Sequence, residues 1–342
     1  MNHKNDSGPN AVGHKSIVTA VTTAIYDRFS NKGVIPPLDP ATRVDGKTCL
    51  ITGASSGLGK AVAIQMAQRG AKLILACRAG HDAVVEEIKQ ASGRQAIELM
   101  TVDLSDLVSV NRLCDQLRDR GVTLDIAILN AGLMPLNARR SPQGFELMFS
   151  VHFLANRLLL QRWLADGVIR ANEKNPPRVV FVASEAHQSS DPIDFNRFGE
   201  FVDYGMKDGM KHYGMSKLHL CTFATELSRR VNPGKPVNVA IHALCPGPIA
   251  SNIARESPAF IKPILWPIMK LLFRSPQQAA EPVVYLACAN AMGQRSGVYL
   301  HMMREKSMSS DARDTDNGRL LWEKSAALLQ PYFTPAPAAA TA

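Results

Sequence analysis

From position 45 onward, short apolar runs alternate with amphipathic stretches. Residues 47–52, 72–77, 96–102, 125–129, 179–183 and 237–243 are runs of strand length. Residues 57–69, 81–91, 106–120, 142–170 and 210–231 carry the spacing of helices. Strands that are apolar along most of their length have both faces buried. Alternated with helices, they predict an α/β fold with a doubly wound parallel sheet covered on both sides. Residues 45–330 read as a single domain. Ahead of it, residues 1–44 form an N-terminal extension with an amphipathic stretch at 16–29 and a proline-rich extended linker at 34–40. Residues 331–342 are rich in Pro and Ala and predict a disordered tail. No internal repeat is visible.

Bulk properties narrow this picture little. The chain has 342 residues, 46% apolar and 20% charged, ordinary for one large globular domain. The net charge of +9 comes from dispersed basic residues with no aromatic-interleaved stripe. No nucleic-acid partner is therefore expected, and a basic surface drawn to anionic lipid is the better reading. The six cysteines are scattered without a C-x-x-C pair, which predicts reduced core thiols. No metal-ligand spacing occurs. The first residues lack a signal-peptide apolar region, and no run is long enough to span a bilayer. The expected location is cytoplasmic, with peripheral membrane association as the variant.

Two constellations carry chemistry. Thr52, Gly53, Ala54, Ser55, Ser56, Gly57, Leu58 and Gly59 follow the first strand and open the first helix. Gly53 permits a tight turn, Gly57 lets the backbone approach a pyrophosphate, and Gly59 allows close helix–strand packing. This is the phosphate loop of a Rossmann fold, against the plainer reading of a glycine-rich connector. An NAD site expects an acid after the second strand. Here Arg78 stands there, suited to a 2′-phosphate, so NADP(H) is expected over NAD(H). A solvated surface arginine is the alternative. The second constellation is Tyr213 and Lys217, one helical turn apart, with Ser184 upstream after a strand. An ammonium on the same face can lower a phenol's pKa and let it shuttle a proton near neutral pH.

With these motifs in order, the sequence over about 45–329 resembles the short-chain dehydrogenase/reductase family. The resemblance implies Ser184, Tyr213 and Lys217 as catalytic residues. It implies the loop from Thr52 to Gly59 as cofactor-binding. It also implies Asp103 and Leu104 at the adenine, Asn130, Ala131 and Gly132 bracing the sheet beside the cofactor, and Pro246 and Gly247 beside the nicotinamide with Ser251 near its carboxamide. Residues 76–78, 275–280 and 296–299 look like the retinol dehydrogenase branch, with protochlorophyllide reductases related. One departure stands out. His152 occupies the position of the helix Asn that holds a proton-relay water in the family. Asn156, a turn further on, is the substitute to consider, and simple packing of both is the other reading.

The expected function is hydride transfer between NADP(H) and a hydrophobic aldehyde, ketone or alcohol, with Tyr213 as general acid and Ser184 stabilising the oxygen. Residues 260–274 are rich in large apolar groups flanked by Lys and Arg. They fit a substrate lid, a membrane-surface segment, or a core or dimer-interface helix. A homo-oligomer is left open. Two competing functions remain: a catalytically weak regulatory nucleotide binder, and a C=C reductase on the same frame.

Overall fold

The computed structural model describes residues 34–249 and 274–333. Ser251, residues 260–273 of the expected lid, the stretch 16–29 and the tail beyond 333 lie outside the described residues.

The chain alternates strand and helix as its pattern predicts. In order come β1 (Thr48–Thr52), α1 (Gly57–Gln68), β2 (Lys72–Cys77), α2 (Ala83–Ser92), β3 (Ile97–Thr101), α3 (Leu107–Asp119) and β4 (Ile126–Leu129). A π-helical turn (Phe149–Leu154) leads into α4 (Ala155–Ala165), then β5 (Arg178–Val182), a 3-10 turn (Glu185–Ser189), α5 (Gly209–Val231) and β6 (Ala240–Cys245). The chain closes with α6 (Pro276–Cys288), α7 (Asn290–Gly293), β7 (Val298–His301), β8 (Arg304–Lys306), α8 (Ser310–Arg313) and α9 (Thr315–Leu329).

The sheet order is β3-β2-β1-β4-β5-β6-β7-β8. All pairs are parallel except β7 with β8. Strand order reverses at β1, whose neighbours are β2 and β4. In doubly wound sheets that reversal opens a crevice at the strands' carboxyl ends, where ligands bind. One core layer packs residues of α3, α4, α5 and α9 on one face, such as Leu113, Trp163 and Phe223. The other packs α1, α2 and α6 on the opposite face, such as Val62, Ile88 and Val283. Neither face of the sheet is left to water, which is why its strands are so uniformly apolar.

Several boundaries differ from the expected ones. The stretch 142–170 is not one helix. Gly144 at φ +85° and the Ser141 hydroxyl accepting Phe145 N–H at 3.2 Å make a turn first. Gly167 at φ +70° follows the end of α4. β6 begins at Ala240 rather than 237 because the Asn232 side chain accepts the N–H groups of Asn238 and Val239. Elements after 275 went unpredicted, although Ser275 and Gln278 form a capping box around Pro276, a start signal legible in sequence. The linker is docked: Ile35 N–H bonds Met303 O at 2.7 Å, and Ile35, Leu38 and Val44 pack on the core. At the other end, Gln330–Tyr332 form a 3-10 turn. All six cysteines are buried and unpaired.

Candidate active site

The first wall is the turn between β1 and α1. Gly53 adopts φ +67°, and a Cβ there would lie 2.9 Å from Ala131 Cα. A Cβ at Gly59 would run into Gly53 O and Asn130 Nδ2. Both glycines therefore let the loop close tightly on the end of β4. Gly57 also has positive φ, +54°. Ser56 precedes α1 in extended conformation without capping it through its side chain, and Ser55 is half-buried. Leu58 turns the other way, into the core. Thr52 Oγ1 accepts Asn130 N–H at 3.0 Å and Ala131 N–H at 3.1 Å. Asn130 Nδ2 returns bonds to Thr52 O and Gly53 O. The Asn130-Ala131-Gly132 run is thus the clamp that joins β4 to the loop.

Beyond β2 and β3 lies an open depression of about 410 Å³ lined by Arg78, Ala79, His81, Thr101, Asp103 and Ser109. Arg78 is exposed. Asp103 accepts Ser105 N–H at 2.9 Å and the Ser105 hydroxyl at 2.7 Å. Leu104 does not line this depression; it is buried in the core. The Asp103–Leu104 pair is therefore divided between surface and interior. A chain that alternates direction after a strand end places consecutive side chains on opposite sides.

The other wall is built where β5, α5 and β6 end. Ser184 caps the 3-10 turn, its Oγ accepting Ala186 N–H at 3.2 Å. Gly214 lies between Tyr213 and the next turn of α5, and a Cβ there would be 2.9 Å from Ala186 O. This glycine lets α5 close on the Ser184 turn and brings the Tyr213 phenol beside Ser184, whose hydroxyl pulls the phenol's pKa down. Sequence reasoning passed over Gly214, although an unneeded glycine inside a helix costs stability and so is a signal of close approach.

Lys217 is buried, and its Nζ donates to Val182 O at 3.1 Å. Burial pushes its pKa down to about 8. Burial pushes the Tyr213 phenol up to about 12, against the opposing pull of the Ser184 hydroxyl. The expected lowering of the phenol by Lys217 is thus not seen in the chain alone. Nζ lies 5.6 Å from the phenol ring centre, and desolvation outweighs what a charge at that distance supplies. Gly132 joins the two walls: a Cβ there would lie 3.8 Å from Lys217 Nζ. Pro246 is buried after β6, and Gly247 follows at φ +82°, where a Cβ would lie 3.0 Å from Met302 Cγ.

Behind Ser184 stands a shell the motifs do not show. His187 Nδ1 bonds Ser184 O at 2.7 Å while its Nε2 accepts Ser309 N–H at 3.2 Å. Glu185 accepts the Tyr299 hydroxyl at 2.7 Å, so its carboxylate braces the wall from behind. Asn156 does not reach Tyr213 or Lys217 through its donor. Its Nδ2 bonds His152 O, one turn back, at 2.8 Å. Among the described residues, no group of three His, Cys, Asp or Glu could hold a metal ion, and no helix is long and apolar enough to cross a membrane.

Residues 47–193 match the family described as short chain dehydrogenase. Human retinol dehydrogenase 13 is 32% identical over 297 residues, covering 84% of this chain and 85% of its own. The chain belongs to the short-chain dehydrogenase/reductase family. It is an oxidoreductase of the retinol dehydrogenase branch, since human retinol dehydrogenase 14 is also 31% identical over 301 residues, 81% of this chain and 84% of its own. Solved structures agree on the fold. A protein from Mycobacterium paratuberculosis superposes with TM-score 0.66 at 24% identity, over 86% of this chain and 98% of that one. L-sorbose reductase from Gluconobacter frateurii, solved with NADPH and L-sorbose, does so at 0.58 and 21% identity, over 76% and 96%.

Proposed function

We propose that this dehydrogenase/reductase uses NADP(H) and acts on a hydrophobic carbonyl/alcohol pair, of the retinoid, steroid or other lipid-like class. The observation that carries the reading is continuity. Gly53 packs on Ala131, Gly132 on Lys217, and Tyr213 lies one turn before Lys217 beside Ser184. A dinucleotide fits this line: Gly53 and Gly59 let the loop close on Ala131 and Asn130, and the opening turn of α1 has no side-chain cap, leaving its N–H groups for a phosphate. Arg78 and the depression beside it suit a 2′-phosphate. Several solved relatives of the fold are NADP complexes, among them an angucycline C-6 ketoreductase.

When bound, a nicotinamide dinucleotide supplies or accepts the hydride. The chain's own residues handle the proton and the oxygen. Tyr213, whose phenol is protonated at neutral pH, is the general acid toward a developing alkoxide. The Ser184 hydroxyl donates to the same oxygen, its lone pair already turned to Ala186 N–H. Lys217, anchored on Val182 O, holds a cation beside the phenol whenever it is protonated. A hydrophobic substrate agrees with the approach to α5, where Val202, Met206 and Met210 are exposed. The catalytically weak regulatory reading rested on the missing helix Asn. The proximity of Tyr213 to Ser184 and the anchoring of Lys217 on Val182 O speak for a catalyst instead.

The test is a fluorescence titration with NADPH and NADH on wild type and Arg78→Ala, followed by a panel of hydrophobic aldehydes, ketones and enals with products resolved. Tight NADPH binding that weakens selectively in the variant, with carbonyl reduction, is expected. NADH preference sinks the cofactor assignment, and C=C reduction alone sinks the carbonyl one.

A further inference from the structure

His152 stands where the family places an asparagine, and the structure gives that substitution a role. The imidazole is fully buried, and each ring nitrogen has one partner. Nε2 accepts Leu133 N–H at 3.1 Å. A backbone amide can only donate, so Nε2 carries the lone pair and Nδ1 carries the proton. Nδ1–H then donates to Ser216 Oγ at 2.8 Å, and the Ser216 hydroxyl donates onward to Tyr213 O at 2.8 Å. The ring edge also meets the Tyr213 ring at 5.7 Å between centroids, 88° between planes. From below, Asn156 Nδ2 bonds His152 O and holds the π-helical turn that aims the side chain inward. Such turns concentrate at functional sites.

The geometry points to His152 as a positioning residue. Its imidazole is a neutral strut that sets the spacing between the loop 130–133 and the turn of α5 bearing Tyr213 and Lys217. A single tautomer satisfies the whole chain of bonds, so the strut has one geometry. Protonation would set Nε2–H against Leu133 N–H, donor against donor. Lys217 and Tyr213 of α5 face the ring, the loop 130–133 carries no ionisable side chain, and a Cβ at Gly132 would meet both His152 Nε2 and Lys217 Nζ. Burial, with the Lys217 charge nearby, opposes the imidazolium as well. An asparagine amide in this position reaches Ser216 but stops short of Leu133. A glutamine reaches Leu133.

The kinetic arm of the test rests on the oxidoreductase reading above, and the spectroscopic arm does not. Besides His187, whose Nδ1 faces Ser184 O while its Nε2 accepts Ser309 N–H, long-range 1H–15N spectra of protein labelled with 15N-histidine should show a further histidine with the proton on Nδ1, the His152 signal. That signal should stay unchanged between about pH 5.5 and 8.5 and vanish in His152→Gln. A proton on Nε2, or a titration midpoint in that range, overturns the strut. In turnover, His152→Leu should lower kcat roughly ten- to hundredfold with little change in NADPH affinity, and His152→Gln should recover part of it. Unchanged kcat in His152→Leu also overturns the proposal. If wild type turns over nothing on the panel, the functional reading fails, and the tautomer alone decides the strut.

Discussion

Lys217 is the place where this fold bears a cost for its site, and the cost can be measured. Its pKa falls from an ordinary 10.5 to about 8 in the folded chain, through burial. At about 1.4 kcal/mol for each tenfold change, carrying the charge in the fold costs about 3 kcal/mol relative to the unfolded chain. The sign follows from which state binds the proton. Below about pH 8 both states are charged and the fold bears the full penalty. Between about 8 and 10.5 the unfolded chain still binds a proton that the folded one has released, so this group's contribution to stability rises with pH. Above that window the penalty is gone. Lys217→Met removes the charge at similar volume. The cofactor-free variant should be more stable than wild type at pH 7 by up to about 3 kcal/mol, less the lost bond to Val182 O, worth about 1–2 kcal/mol. The advantage should shrink by roughly 2 kcal/mol on going to pH 10. Denaturant unfolding followed by tryptophan fluorescence at pH 7, 8, 9 and 10 reads this directly. Burial pushes the Cys221 and Cys245 thiols up, and losing the Lys217 charge pushes them further the same way, so both stay protonated in the folded wild type and variant over this range. A gap that stays constant with pH, or widens, would refute the reasoning.

Two further outcomes are expected. Tyr213→Phe removes the phenol beside Ser184 and should abolish turnover while NADPH affinity in a fluorescence titration stays within about threefold; substantial residual turnover removes Tyr213 from the role of acid. Gly59→Ala forces a methyl into Gly53 O and Asn130 Nδ2; it should cost roughly 1–3 kcal/mol in denaturant unfolding and weaken NADPH binding more than tenfold, and wild-type affinity would show that the loop is not the cofactor's.

Much of the candidate site was legible in the linear chain because its parts are local. A glycine loop between strand and helix, a Tyr and a Lys one turn apart, and Asn130-Ala131-Gly132 after a strand are each defined by neighbours in sequence. So was the parallel sheet, since a strand buried on both faces must be apolar throughout. The elements after position 275 were harder. The cap at Ser275 was written in the sequence, but β7 and β8 are too short for periodicity to separate them from loop.

What the tertiary structure alone decided lies in contacts between distant segments. That Leu104 is core and Asp103 surface depends on where the chain turns after β3. That the phenol is raised rather than lowered depends on how deeply α5 is packed, because desolvation acts through the whole surroundings while the sequence shows only the nearby lysine. His152 is the clearest case. As a letter it reads as a lost asparagine. Leu133 and Ser216, brought to its two nitrogens from other parts of the chain, decide its tautomer, and only folding brings those partners together.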